Sequence, residues 1–283
     1  MRRGGDFMQF AHSKVAGFDW TSNPQDKYIG KSLQTYGEWS YGEIVLLGGL
    51  LAPDATAVEV GANIGAHTVP LARHLHAGRV IAFEPQRIAF QLLCANLVNN
   101  GCINVAAYNM AVGDVAGTAR IPDVNPASAL NFGGIGVDQE SIDPGADVTL
   151  GKTPLVRLDD MIGDVVKVDM IKCDAEGMEQ RVVEGARAVI ERDRPILYLE
   201  DDRPALSQGL YECVRDMGYE VWWHPVPLFR VENLAGHAKN IFPNIYSLSL
   251  LCCHASAPQK IPGLTKLDSF ADHPAQRNAA AGC

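Results

Sequence analysis

The sequence has no apolar run long enough to span a bilayer. Its best candidate, Ile44 to Pro53, is ten residues containing two glycines, about half of the ~20 that a membrane helix needs. Basic charge is scarce as well: 24 Lys and Arg face 33 Asp and Glu, a formal charge of −9. Binding to a phosphate backbone is driven by counterions that Lys and Arg displace. With no basic run carrying interleaved aromatics, the balance argues against nucleic acid and against an anionic membrane as partners. The seven cysteines (Cys94, Cys102, Cys173, Cys213, Cys252, Cys253 and Cys283) are an odd set without a C-x-x-C pair, so neither a zinc site nor a disulfide framework is expected. Arg2 and Arg3 lead into Asp6, Gln9 and His12 instead of an apolar stretch. No secretory leader is read there, and a cytoplasmic location is the expectation. No internal repeat is present.

What remains is 283 residues, 47% of them hydrophobic and 20% charged, the profile of one large globular domain or one domain with appendages. Short β-branched runs alternate with longer segments of helical period. Strands are predicted at Ala57–Val60, Arg79–Phe83, Asn104–Tyr108, Val168–Cys173 and Ile196–Leu199. Between them, Ala89, Leu92, Leu93 and Leu97 fall on one helical face, as do Met178, Val182, Ala186, Val189 and Ile190. A further helix is expected from about Ala205 to Met217. Such alternation implies a doubly wound, mostly parallel sheet with helices on both faces. Residues 1–56 form a lead-in of cap helices, one of them over Tyr41 to Leu51, and residues 57–254 the main domain. Residues 113–160 form an insertion rich in Gly, Pro, Asp and Asn, with short strands at Val148–Leu150 and Leu155–Leu158 and a glycine-rich Asn131-Phe132-Gly133-Gly134 that suits a lid or a plain loop. Residues 255–283 read as a loosely held tail.

Ligands of such sheets bind beyond the carboxyl ends of the strands, so the chemistry is sought there. Val58-Glu59-Val60-Gly61-Ala62-Asn63-Ile64-Gly65 is a strand running into a glycine turn and a helix. Gly61 is expected to let the backbone approach a ligand, and Gly65 to let the helix pack closely. A nicotinamide site would want G-x-G-x-x-G; here Asn63 and Ala66 stand at its second and third glycines. Glu84 ends the next strand, where a carboxylate can accept hydrogen bonds from both hydroxyls of a ribose. Turn and carboxylate together indicate an adenosine-bearing ligand, with nicotinamide or methionine both open. The fourth strand delivers Lys172, Asp174 and Glu176 where it becomes a helix. Three charges at one mouth are paired, solvated or used.

Four segments in this order resemble the FkbM family of S-adenosylmethionine-dependent methyltransferases. They are Val58 through Thr68, Phe83-Glu84-Pro85, Asn109-Met110-Ala111-Val112-Gly113-Asp114, and Ile171 through Glu179. The likeness spans roughly residues 40–200. It implies an α/β, Rossmann-like class I methyltransferase fold, with a seven-stranded sheet whose last strand is antiparallel; Tyr219–Trp223 and Ile245–Leu251 would be the closing hairpin. Carried over by position, Glu59, Gly61, Ala62, Asn63 and Gly65 would line the methionine and ribose of the cofactor, followed by His67 and Thr68. Glu84, beside Pro85, would bind the ribose hydroxyls, and Met110 and Ala111 would edge the adenine. Asp174 would stand between cofactor and acceptor.

The expected reaction is O-methylation of a small hydroxylated acceptor, such as a sugar, a glycolipid or a polyketide-type metabolite. S-adenosylmethionine is the donor and S-adenosylhomocysteine the product. Asp174 or Glu176 would be the base or orienting group, with Lys172 tuning its charge. A nicotinamide-dependent oxidoreductase and a catalytically silent cofactor-binding module are the alternatives. Asp174 with Asp201 or Asp202 could ligate Mg²⁺, although solvated loop acids are the plainer reading and no metal ligand is assigned. Trp222, Trp223 and His224 suit either an acceptor-stacking surface or core and rim.

Overall fold

The computed structural model describes residues 8–128, 131, 133–134, 148–164, 166–257, 261 and 263–281. The chain opens with a hairpin, β1 (Ala11–Val15) and β2 (Phe18–Ser22). Its two-residue turn puts both Ala16 and Gly17 at positive φ, which matches the twist of antiparallel strands. Helices α1 (Ile29–Tyr36) and α2 (Tyr41–Leu50) follow. The hairpin has no counterpart in the sequence expectation of a lead-in of cap helices.

The central strands are β3 (Thr56–Val60), β4 (Arg79–Phe83) and β5 (Val105–Tyr108), linked by α3 (Thr68–His74) and α4 (Arg87–Asn99). β6 (Ala111–Val112), just before the insertion, joins β7 (Gly117–Val124) and β8 (Val148–Val156) within it in a separate sheet of order β6-β8-β7. Two short strands were expected within 148–158. The structure instead has one continuous β8, because β7 pairs with it from Val148 through Leu155 and so holds Gly151 and Pro154 extended. Phe132 of the glycine-rich stretch lies outside the described residues. After α5 (Leu158–Ile162) come β9 (Met170–Cys173), α6 (Glu179–Gly185), α7 (Arg187–Asp193), β10 (Ile196–Glu200) and α8 (Pro204–Asp216). The single helical face read from Met178 to Ile190 is two helices, parted at Ala186, whose φ of −110° leaves the helical range.

Strands β11 (Tyr219–Pro227), β12 (Tyr246–His254) and β13 (Lys266–Leu267) complete the main sheet, and α9 (Pro274–Ala281) ends the described chain. The sheet has eight strands where seven are expected, in the order β13-β11-β12-β10-β9-β3-β4-β5. Its centre, β10-β9-β3-β4-β5, is parallel; β12 runs antiparallel to both β10 and β11. Side chains alternate between two apolar layers. Ala57, Val80 and Ala82 face one, while Val58, Val60 and Phe83 face the other; burial on both faces is why these runs read as continuously apolar. Within the segment read as a loose tail, His273 is fully buried, with Nε2 at 2.7 Å from Asp201 Oδ2. No helix among the described residues is long and apolar enough to cross a membrane.

Candidate active site

The turn after β3 is built by two close approaches. A Cβ on Gly61, at φ +80°, would lie 1.7 Å from the Asp174 carbonyl oxygen, and one on Gly65 would meet Leu93 Cδ1 at 2.9 Å. Gly61, expected to let the backbone approach a ligand, also admits the neighbouring strand end, whose close approach leaves no room for a side chain. Gly61 and Ala62 donate their N–H groups to the Phe83 carbonyl at 2.9 and 3.0 Å. That pins the turn beside the end of β4, where Glu84 sits 2% exposed. Its two oxygens accept from the Asn63 N–H at 2.8 Å and the Gln86 N–H at 2.7 Å. Burial pushes Glu84 up to about 7 against the pull of these two amides. Each oxygen keeps a lone pair for a further donor.

At the end of β9 the charges interlock. Lys172 Nζ, buried, lies 3.9 Å from Asp174 Oδ2 and 3.9 Å from Glu43 Oε2, a residue of α2. Burial opposes the Lys172 charge, but Glu43, Asp174, Glu59 and Glu200 outweigh it and hold the ammonium above its ordinary range. Glu176, at φ +54°, pairs with Arg203 at 2.8 Å. Burial and then Asp174 push it up to about 8. Glu179 accepts from the Ala175 and Gly177 N–H groups and so shapes the loop itself. Glu200 is raised by burial, Asp174 and Glu176, and its Oε2 has no hydrogen-bond partner.

Asp174, Glu176 and Glu200 bring carboxylate oxygens within 4.8 Å of one another. The pairing expected for a hard cation is Asp174 with Asp201 or Asp202, and only Asp174 of these belongs to the cluster. Asp201 turns away to accept from Ser207 Oγ at 2.8 Å and to meet His273, while Asp202 faces the cavity beside Arg203.

One cavity of about 450 Å³ joins these parts at the carboxyl ends of β3, β4, β9 and β10. Gly61, Asn63, Glu84, Pro85, Ala111, Asp174 and Glu176 line it. Glu59, Ala62, Gly65, His67, Thr68, Met110 and Lys172 do not. Glu59 is 1% exposed with an unpartnered Oε2, and burial raises it to about 7 against the pull of Lys172. His67 is buried with Nε2 at 3.0 Å from the Trp39 carbonyl, Thr68 is fully buried, and Met110 packs against the apolar layer. Lining residues that sequence reasoning missed include Gln86, Val112, Met178 and Glu200.

The opposite wall comes from the lead-in and the β11–β12 connection: Tyr28, Ile29, Trp39, Leu228 and Ile245 through Leu248. Glu38, buried, holds that connection by two bonds from Arg230, 2.8 and 2.9 Å, and one from the Leu234 N–H. Trp222, Trp223 and His224 stay outside the cavity. Trp222 is core, and His224 Nδ1 meets the Tyr198 hydroxyl at 2.9 Å.

The sequence profile of the methyltransferase FkbM domain matches residues 59–221, which span β3 through the start of β11. The chain belongs to the FkbM methyltransferase family. Among curated proteins, the AMB antimetabolite synthetase AmbE of Pseudomonas aeruginosa is 26% identical in an alignment of 208 positions that covers 61% of this chain and 10% of the synthetase. Among solved structures, a methyltransferase FkbM from Methylobacillus flagellatus KT superposes on 72% of this FkbM-family chain and 45% of its own, at 20% identity and TM-score 0.46. An O-methyltransferase from Bacillus cereus in complex with S-adenosylhomocysteine covers 76% of this chain and 80% of its own, at 13% identity and TM-score 0.45. The chain thus spans about a tenth of the synthetase and under half of the M. flagellatus protein.

Proposed function

We propose that this FkbM-family chain transfers a methyl group from S-adenosylmethionine to a hydroxyl oxygen of a small acceptor. The observation that carries the reading is that Glu84 and Asp174 open into the same cavity from the ends of β4 and β9, the two strands that flank β3. The residues fit the cofactor. Glu84 is fixed by two backbone amides with lone pairs left over, as a ribose diol requires. About 450 Å³ lies within the range of small-molecule sites. Ala111, Val112 and Met178 give the apolar flank that an adenine needs.

S-adenosylmethionine, when bound, supplies the electrophilic methyl. The protein's share is alignment and proton removal. Asp174 faces the cavity with its side chain about a third exposed (33%) and Lys172 behind it. In that place it orients the acceptor hydroxyl and takes its proton, while Lys172 balances the carboxylate. Alignment supplies much of the rate. Glu176 is committed to Arg203 and serves as wall. The acceptor enters from the aromatic and aliphatic side, between Trp39 and the residues around Tyr246, a wall suited to the body of a sugar, glycolipid or polyketide-type molecule.

Mg²⁺ is not invoked. Arg203 pairs with Glu176, one of the three clustered carboxyls, and burial with the neighbouring acids raises Glu176 and Glu200, which works against the accumulated negative charge that a hard cation needs. Dialysis against EDTA is accordingly expected to leave turnover unchanged, and rescue by added Mg²⁺ would overturn that part. The test of the proposal is Asp174→Asn. Turnover is expected to fall about 10²–10⁴-fold with cofactor affinity kept within a few-fold; unchanged turnover would remove Asp174 from the chemistry.

A further inference from the structure

Ser247 on β12 lines the cavity, and its Oγ donates to Glu43 Oε1 at 2.6 Å. The same carboxylate oxygen accepts from Ser40 Oγ at 2.8 Å. The other oxygen of Glu43 faces Lys172 Nζ at 3.9 Å and His67 Nδ1 at 4.0 Å. Glu43 is 2% exposed. Burial works against its charge, but His67, Lys172 and the two serine hydroxyls prevail and hold it below the usual carboxylate range. An ionised carboxylate only accepts, and a serine hydroxyl has a single proton. The proton of Ser247 is thus spent on Glu43, and what this side chain offers the cavity is lone pairs.

We infer that Ser247 is a specificity-determining residue that accepts a hydrogen bond from a second donor on the methyl acceptor, so that the acceptor is a diol or polyol and not a lone alcohol or its ether. This deepens the methyltransferase reading and rests on it. Glu43 and Asp174 flank one ammonium, that of Lys172. One hydroxyl of the acceptor is thereby addressed by Asp174, and another by Ser247 on the wall shared with Trp39 and Leu248. Glu43 acts through Ser247 and is a positioning residue. A site built to receive a donor discriminates against an analogue without one, because its buried acceptor is left unpaired.

The polarity of Ser247 is set by Glu43 and can be reversed. In Glu43→Gln the amide oxygen turns to Lys172, and the amide NH₂ turns to Ser40 and Ser247. Ser247 Oγ then accepts from the amide, and its own proton is released into the cavity.

The test uses two probes, trans-1,2-cyclohexanediol and 2-methoxycyclohexanol. Each carries one hydroxyl for Asp174; they differ in whether the second oxygen can donate. Dissociation constants are measured calorimetrically on the full chain saturated with S-adenosylhomocysteine. The wild type is expected to prefer the diol about 10-fold or more. Ser247→Ala should bring the ratio to within about twofold by weakening the diol, and Ser247→Thr, which keeps the hydroxyl, should restore the preference. Glu43→Gln should lower the ratio instead by strengthening the methoxy probe several-fold. S-adenosylhomocysteine affinity should stay within about twofold in all of them. No diol preference in the wild type, or an unaltered ratio in both Ser247→Ala and Glu43→Gln, overturns the inference while the methyltransferase reading stands. Failure of the wild type to bind S-adenosylhomocysteine overturns both.

Discussion

Glu59 and Glu84 stand on neighbouring strands, and burial raises both to about 7. Their surroundings give them different roles. Glu84 lines the cavity with both oxygens fixed by backbone amides, whereas Glu59 lies behind the turn against Lys172. Donors arriving at Glu84 favour its charged form. Binding of S-adenosylmethionine near pH 6.5 is therefore expected to release protons, seen as a binding heat that varies with buffer ionisation enthalpy, and Glu84→Gln should abolish most of that variation. Gly61 gives a second prediction at this scale. A methyl group there would overlap the Asp174 carbonyl and displace the end of β9. Gly61→Ala should cost at least about 2 kcal/mol in denaturant unfolding and impair turnover with it; a stability equal to wild type would contradict the close approach.

The cofactor half of the site is a product of local signals. A β-branched run, a glycine turn, and a carboxylate one strand later are each readable within ten residues, and four such segments in order carry the resemblance to the family. The acceptor half has no such signature. Trp39, Ser247 and Glu43 come from α2, the segment before it and β12, and only the antiparallel insertion of β12 beside β10 brings them to Asp174. Nothing in the apolar helix around Glu43 announces a buried carboxylate beside Lys172. β1 and β2 are equally hidden, being short and held by tertiary bonds such as the pair exchanged between the Thr21 backbone, whose N–H donates to Asn96 Oδ1, and the Asn96 amide, which donates to the Thr21 carbonyl. The connection between β11 and β12 depends on a similar long-range bond. Arg230→Ala strands the buried Glu38 and should lower stability by about 3 kcal/mol. Its effect on the acceptor KM should exceed that on cofactor affinity; equal effects would mean that this connection does not shape the acceptor wall.

At the scale of the whole molecule, carboxylates accumulate around one mouth at a cost in stability. Glu59, Glu84 and Glu179 are raised to about 7 and Glu176 to about 8, chiefly by burial. A carboxyl raised in the folded state binds protons that the unfolded chain has already lost. Its contribution is therefore present below about 4.5 and lost as pH climbs through 7 to 8. His67 and His224, pushed down by burial, act in the opposite sense below about 6.5 but are outnumbered by the four carboxyls, so the net decline begins above about pH 4.5 and ends near pH 8. Glu59→Gln should flatten the fall in melting temperature across that range without altering cofactor binding, since Glu59 does not line the cavity; an equally steep fall would mean Glu59 is ionised throughout.

The central claim is that Glu84 and the turn at Gly61 form a site for S-adenosylmethionine. Its most direct test is calorimetric titration of wild type and Glu84→Ala with S-adenosylmethionine, S-adenosylhomocysteine, NAD⁺ and NADH. Micromolar binding of the first two, weakened about 30-fold or more without Glu84, is the expected result. Binding of the nicotinamides in their place, or sulfonium binding indifferent to Glu84, would contradict it.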